Sequence, residues 1–238
     1  MSDSIRTSVP LASLQHRLQE GGVNSRTIER LVKVFDRTVT VNPRRPFREP
    51  GRPRDEVIFV RLGVLSMFKI NGAGARQINA LRYPGDGILP SEGTTDYGVR
   101  ALIHSVVDVG RADAFETVVD TCPQLQRLVR RGVERQLLIG YEWLTNLGRL
   151  DGAARVAHLL CETAVRYGAV RQPSLVNPFT QQQIAEITGQ TPVHVNRVFA
   201  ALNKSGLIRK VGRQFEVDDW LKLGRFGNFN AEYLEGPR

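Results

Sequence analysis

Apolar residues recur at helical spacing near the start of the chain. Leu11, Leu14 and Leu18 share one face, and Ile28, Leu31, Val32 and Phe35 share another, so residues 11–36 read as amphipathic helix. The Gly21-Gly22 pair divides that stretch into two short helices. From about residue 38 to 110 the pattern turns to strands. The run EVIFVRLGVLSMFKI (56–70) is rich in β-branched and aromatic residues and ends at Asn71-Gly72, a hairpin signal. RQINALRY (76–83) returns as a second strand stopped by Pro84-Gly85-Asp86, and VRALIHSVVDVG (99–110) reads as a further strand pair. Short strands punctuated by Gly and Pro in this way form a sandwich or a jelly-roll barrel.

Helical periodicity resumes after Cys122-Pro123. Val133, Leu137, Gly140, Leu144 and Leu147 follow a 4-3-4-3 spacing, the seam of a heptad repeat. Each glycine in such a helix costs roughly 1 kcal/mol relative to Ala, which a close helix–helix approach would offset. A long helix after a barrel has few neighbours in its own chain, so this seam reads as a homodimer contact. Asp151 then caps a helix over AARVAHLLCETAVRY (153–167), with Ala154, Ala157, Leu160 and Cys161 among its small or apolar positions.

Residues 180–210, TQQQIAEITGQTPVHVNRVFAALNKSGLIRK, carry the most information. Thr180 caps a short helix that ends at Gly189, Thr191 caps the next, and Pro192 takes its first position, where the missing N–H costs nothing. Two short helices on a tight glycine turn make a helix-turn-helix. Small Ala185 lets the helices approach, and Val195 fills the angle between them. At about 100° per residue, Val195, Val198, Phe199 and Leu202 fall on one face, which is core. The opposite face carries Val193, Arg197, Ala200 and Lys204, flanked by His194 and Asn196.

A helix that turns Val and Ala to solvent with so little charge around them fits the major groove of DNA. Arg takes guanine edges, Asn takes adenine, Val touches thymine methyls and Ala permits close approach. The expected DNA contacts are therefore Thr191, Val193, His194, Asn196, Arg197 and Lys204. Gly206 to Val217 then reads as strand, turn, strand. This is a wing, with Lys210 and Arg213 available for phosphates.

Composition adds less. The formal charge of +9 favours a polyanionic partner, but most of the excess precedes residue 111, partly in PRRPFREPGRPR (43–54), which reads as a solvated loop. The two cysteines, Cys122 and Cys161, stand alone, which excludes a disulfide framework or a CxxC metal site. No run has signal-peptide or membrane-spanning character, so a cytoplasmic protein without a membrane partner is expected. Enzyme motifs of the HExxH, GxSxG and GxxxxGK[ST] types are absent, no cofactor is expected, and GAGARQ (72–77) falls at a hairpin tip. A metal-dependent jelly-roll enzyme would need several converging ligands, and only His104 falls in the barrel region. His16 and His158 stand isolated on helices. A small-molecule-binding jelly roll describes the first half of the chain and leaves the second unexplained.

The barrel strands before PGD (84–86), the VRA segment (99–101), EWLTNLGR (142–149), ARVAHLLCE (154–162) and TPVHVNR (191–197) together resemble the Crp/Fnr superfamily of transcription regulators. The resemblance implies an α+β chain in three parts. These are a cyclic-nucleotide-binding-like sensory jelly roll over 1–114, a dimerisation helix region over 115–148, and a winged helix-turn-helix over 149–238. It also implies a homodimer on a two-fold symmetric double-stranded operator, in contact with RNA polymerase. Family members that bind cyclic AMP carry Gly-Glu after the PGD-like turn and Arg-Ser/Thr-Ala before the VRA segment. Here those places hold Leu89-Pro90 and Thr95-Asp96-Tyr97, so cyclic AMP is not the expected effector. The N-terminal cysteine cluster of the iron–sulfur members is missing as well. Val193 stands where many members place Glu at the start of the recognition helix.

Overall fold

The computed structural model describes residues 11–43, 45–51, 55–90, 96–167, 177–211 and 214–235. The chain packs as two compact units divided between Glu134 and Arg135.

In the first unit, helices α1 (Leu11–Glu20) and α2 (Ser25–Val34) precede eight strands. The Asn24 side chain caps α2 by accepting from the Thr27 N–H at 2.9 Å. Phe35, which helical spacing assigns to this helix, instead opens strand β1 (Phe35–Val41) and pairs with Gly110. Strands β2 (Pro46–Arg48), β3 (Glu56–Leu62), β4 (Leu65–Ile70), β5 (Arg76–Arg82), β6 (Gly87–Ile88), β7 (Gly98–Ala101) and β8 (Ser105–Arg111) complete the barrel. They form two four-stranded antiparallel sheets, ordered β1-β8-β3-β6 and β2-β7-β4-β5. Alternate residues of both sheets, among them Ile58, Val60, Leu65, Val99, Ala101, Val107 and Val109, fill one apolar core.

The run 56–70 is therefore two strands in two sheets, not one. Gly63, at φ +85°, makes the crossing, and a Cβ there would stand 2.5 Å from the His104 carbonyl oxygen. The hairpin after β4 forms, but with a longer loop than Asn71-Gly72 alone. The Asn71 side chain accepts from the N–H groups of Ala73 and Ala75, and Gly74 takes the left-handed conformation. His104 is exposed in the turn between β7 and β8, so it does not enter the barrel. A second core joins the two N-terminal helices to α3 (Ala112–Asp120) and to the first turns of α4 (Pro123–Arg149), and includes the buried Cys122.

In the second unit the continuing α4 buries Ile139 and Asn146 and half-buries Trp143 between them. Its other side leaves Leu137, Tyr141 and Leu144 open, with Leu144 70% exposed. A Cβ on Gly132, Gly140 or Gly148 would meet nothing within 4 Å, so nothing within the chain requires glycine at these places. Helix α5 (Gly152–Arg166), capped by Asp151 as its sequence predicts, packs against α6 (Gln181–Thr188), α7 (Pro192–Lys204) and α8 (Trp220–Phe226). The short α8 and α9 (Glu232–Glu235) have no counterpart in the sequence reading.

The last two helices give His158 its partners, so it is not isolated. Its Nδ1–H donates to the Gly227 carbonyl at 3.1 Å, and its Nε2 lies 2.9 Å from the Tyr233 hydroxyl. That hydroxyl donates to Glu162 Oε2 at 2.9 Å, which commits its one proton to the carboxylate. Burial lowers the His158 pKa from its ordinary value, and burial pushes the Cys161 thiol up to about 12. At neutral pH Cys161 is a protonated, buried packing residue.

Candidate nucleic-acid interface

The site is assembled from local caps. The Thr180 side chain accepts from the Gln183 N–H, and the Gln183 side chain accepts from the Thr180 N–H, a reciprocal capping box at the start of α6. Gly189, at φ +66°, ends the helix in the left-handed conformation. The Gln190 N–H then returns to the Ala185 carbonyl at 2.9 Å. Thr191 starts α7 by accepting from the His194 N–H, with Pro192 in the first turn.

The two faces of α7 separate as the helical spacing predicts. Val195, Val198, Phe199 and Leu202 are buried against Ile184, Ala185 and Ile187 of α6 and the rest of the unit's core. Val193 is 64% exposed, and Thr191, His194, Asn196, Arg197, Ala200 and Lys204 are exposed with it. Among the described residues Arg197, Lys204 and Lys210 form no ion pair, so their charge is open to a partner.

The wing is a two-stranded antiparallel ribbon of β9 (Arg209–Val211) and β10 (Gln214–Glu216). It begins later than the run from Gly206, because Leu207 and Ile208 turn into the core. The Lys210 N–H donates to Asn203 Oδ1 at 2.9 Å, tying the first wing strand to the end of α7. Arg209 pairs with both Glu216 and Asp218, which neutralises it. Arg213 lies outside the described residues.

Two details refine the expected contacts. The His194 ring lies back over the start of α5, where a Cβ on Gly152 would come 2.6 Å from its Nε2. Gln181, which spacing on α7 alone does not single out, donates from Nε2 to Asn196 Oδ1 at 3.4 Å and joins the exposed face from α6. Its signal is its place in the first turn of the helix that precedes the reading helix.

A glycine-turned helix pair, an exposed second helix with unpaired cations, and an antiparallel wing define a winged-helix DNA-binding protein. Residues 154–226 match the Crp-like helix-turn-helix domain family. Over 205 residues the chain is 27% identical to the transcriptional regulatory protein btr of Bordetella pertussis, spanning 83% of this chain and 84% of that protein. It is 29% identical over 182 residues to the transcriptional activator protein FnrL of Cereibacter sphaeroides, spanning 73% of each. The fold is similar to that of FixK2 from Bradyrhizobium japonicum, with a TM-score of 0.74 at 22% identity, over 82% of this chain and 98% of that one. A CooA mutant from Carboxydothermus hydrogenoformans gives a TM-score of 0.67 at 18% identity, over 82% of this chain and 90% of that one. Over most of its length the chain is similar to regulators of the Crp/Fnr type, and it is a DNA-binding transcription regulator.

Among the described residues no helix is long and apolar enough to cross a membrane, and no cluster of His, Cys, Asp and Glu could hold a metal ion.

Proposed function

We propose that this regulator works as a homodimer on an inverted-repeat operator, each copy laying α7 in the major groove of one half-site. The observation that carries the reading is the sorting of α7. Its large apolar residues Val195, Val198, Phe199 and Leu202 are buried, while Val193 and Ala200 share the open face with Asn196, Arg197 and Lys204. Arg197 and Asn196 read base edges, Val193 touches a thymine methyl, and Thr191, Lys204 and Lys210 hold phosphates. His194 borders the groove from its seat against Gly152, and Arg213, which follows β9 in sequence, joins the phosphate contacts.

The open seam of Val133, Leu137, Gly140, Leu144 and Leu147 supports the dimer, since its leucines and valine are exposed. Gly132 and Gly140 would let a second helix approach closely. Two copies paired on this seam present their α7 helices about 34 Å apart, one turn of DNA. The division into a sensory barrel over 1–114, a dimerisation region over 115–148 and a DNA-binding domain over 149–238 belongs to the same proposal. So do action in the cytoplasm, contact with RNA polymerase, regulation by binding without catalysis, and an effector other than cyclic AMP.

Selection of binding sites from random duplexes by the purified chain tests the reading. The expected product is one enriched inverted repeat whose binding weakens steeply with salt. Binding to the enriched sequence no tighter than to random duplex would overturn it.

A further inference from the structure

Glu162 is fully buried, yet it carries no obvious task in reading DNA. Its Oε1 accepts from Arg166 at 3.1 Å, and its Oε2 accepts from the Trp143 indole N–H at 2.8 Å and faces the Tyr233 hydroxyl. Arg166 is itself buried. One carboxylate thus ties α4, α5 and α9 together. A buried ion pair of this kind contributes little net stability over a well-packed apolar replacement, and its best-attested use is to fix one arrangement among several.

The arrangement at stake is the angle between α4 and α5. Trp143 lies on α4 directly before Leu144, so the indole faces inward while the exposed seam faces out. At its other end α5 holds the helix-turn-helix. Arg155 donates to the Thr188 carbonyl at 2.7 Å, and the Gln190 side chain donates to the Gly152 carbonyl at 3.1 Å. Contacts therefore run without a gap from the seam through Trp143 and Glu162 to α5, and from α5 to α7.

We infer that Glu162 is a positioning residue for operator recognition. Through Trp143 it sets the angle between α4 and the helix-turn-helix, and so selects the spacing of the two half-sites. The inference rests on the dimeric reading of α7 given above.

The test uses the full chain and its Trp143→Phe and Glu162→Gln variants on operators with fixed half-sites and spacers changed by one or two base pairs. Wild type is expected to favour one spacer by at least about tenfold, and the variants to bind all spacers within about threefold. The half-site base preference should stay unchanged. A second measurement needs neither DNA nor a dimer. Spin labels at Thr145→Cys on α4 and Ala201→Cys on α7, both exposed, report the distance between the two helices within one chain. That distance distribution should be narrow in wild type and broad in both Trp143→Phe and Glu162→Gln. A uniform loss of affinity at every spacer, or an unchanged distance distribution, would overturn the inference. If wild type binds no selected site, the dimeric reading fails on its own, while the label distances still decide the role of Glu162.

Discussion

The rings of Phe199, in the buried face of α7, and Phe215, in the second wing strand, stack with centroids 4.5 Å apart and planes 21° from parallel. This contact joins the helix that meets the groove to the ribbon that meets the backbone. Phe215→Ala should lower stability by about 2 kcal/mol, less than the 3–5 kcal/mol of a fully buried ring, because Phe215 keeps some exposure. The same change should loosen the wing on α7, so that Lys210, paired with Phe215, loses its phosphate contribution. Thermal unfolding reads the first effect, and a shallower salt dependence of DNA binding reads the second.

Arg197 and Lys204 share the open face of α7 but should differ in kind. Arg197→Ala is expected to cost about 1–3 kcal/mol on the selected operator and to relax discrimination at one base position. Lys204→Ala should weaken all duplexes alike and reduce the salt slope by about one. Titrations of both variants against single-base operator variants at two salt concentrations separate the two behaviours. A specificity change in Lys204→Ala would refute the assignment.

Leu144 contributes nothing to its own chain's core at 70% exposure, so a charge there should leave the folded monomer intact. Leu144→Glu is expected to shift monomer stability by no more than about 0.5 kcal/mol. In a dimer seam the same charge is buried against its copy, and the assembly should dissociate. Sedimentation of wild type and variant at micromolar concentration checks this, and a dimeric variant would show that the seam lies elsewhere.

Cyclic AMP should fail to bind at micromolar concentration. A buried phosphate needs a charge-assisted partner, and Arg100 is the arginine closest in sequence to Thr95-Asp96. Val99 and Ala101 face the barrel core, so Arg100 between them faces away, and its Nε–H donates to the Pro43 carbonyl at 2.9 Å. Asp96 lies 3.4 Å from Lys69 and would repel the ligand, while Thr95 lies outside the described residues. Removing a charge partner from a buried anion costs about 3–5 kcal/mol, at least a hundredfold in affinity. Calorimetry with cyclic AMP and cyclic GMP decides the point. Tight binding lost in Arg100→Ala would contradict it.

His158 gives the C-terminal unit a pH dependence of known sign. Burial holds its pKa below the ordinary value of about 6.5, so the unfolded chain takes up the proton first on acidification. Its contribution to stability is complete above about pH 6.5 and declines as pH falls toward the lowered folded value. Denaturant unfolding of wild type and His158→Gln between about pH 5 and 8 should show a steeper acid loss in wild type.

The sequence by itself determined whatever depends on a few neighbouring residues. The caps Thr180, Thr191 and Asp151 stand where short-range hydrogen bonding puts them, and the two faces of α7 follow from a period of 3.6 residues. Alternation along Val99, Arg100 and Ala101 likewise assigns their sides, though not which side is the core. Only the tertiary structure decided the rest. Local propensity reads 56–70 as one strand, and the split at Gly63 appears only when Ser105 and the His104 carbonyl, at the start of the neighbouring strand β8, close over it. His194 has the spacing of a groove residue, but its ring direction is set by the missing Cβ of Gly152 on another helix. Glu162 and His158 read as ordinary positions on a helix until α9, about seventy residues later, brings Tyr233 between them. Periodicity and capping are settled within a turn or two of chain, whereas the partner of a buried polar group is settled by where a distant segment returns, and no local pattern carries that information.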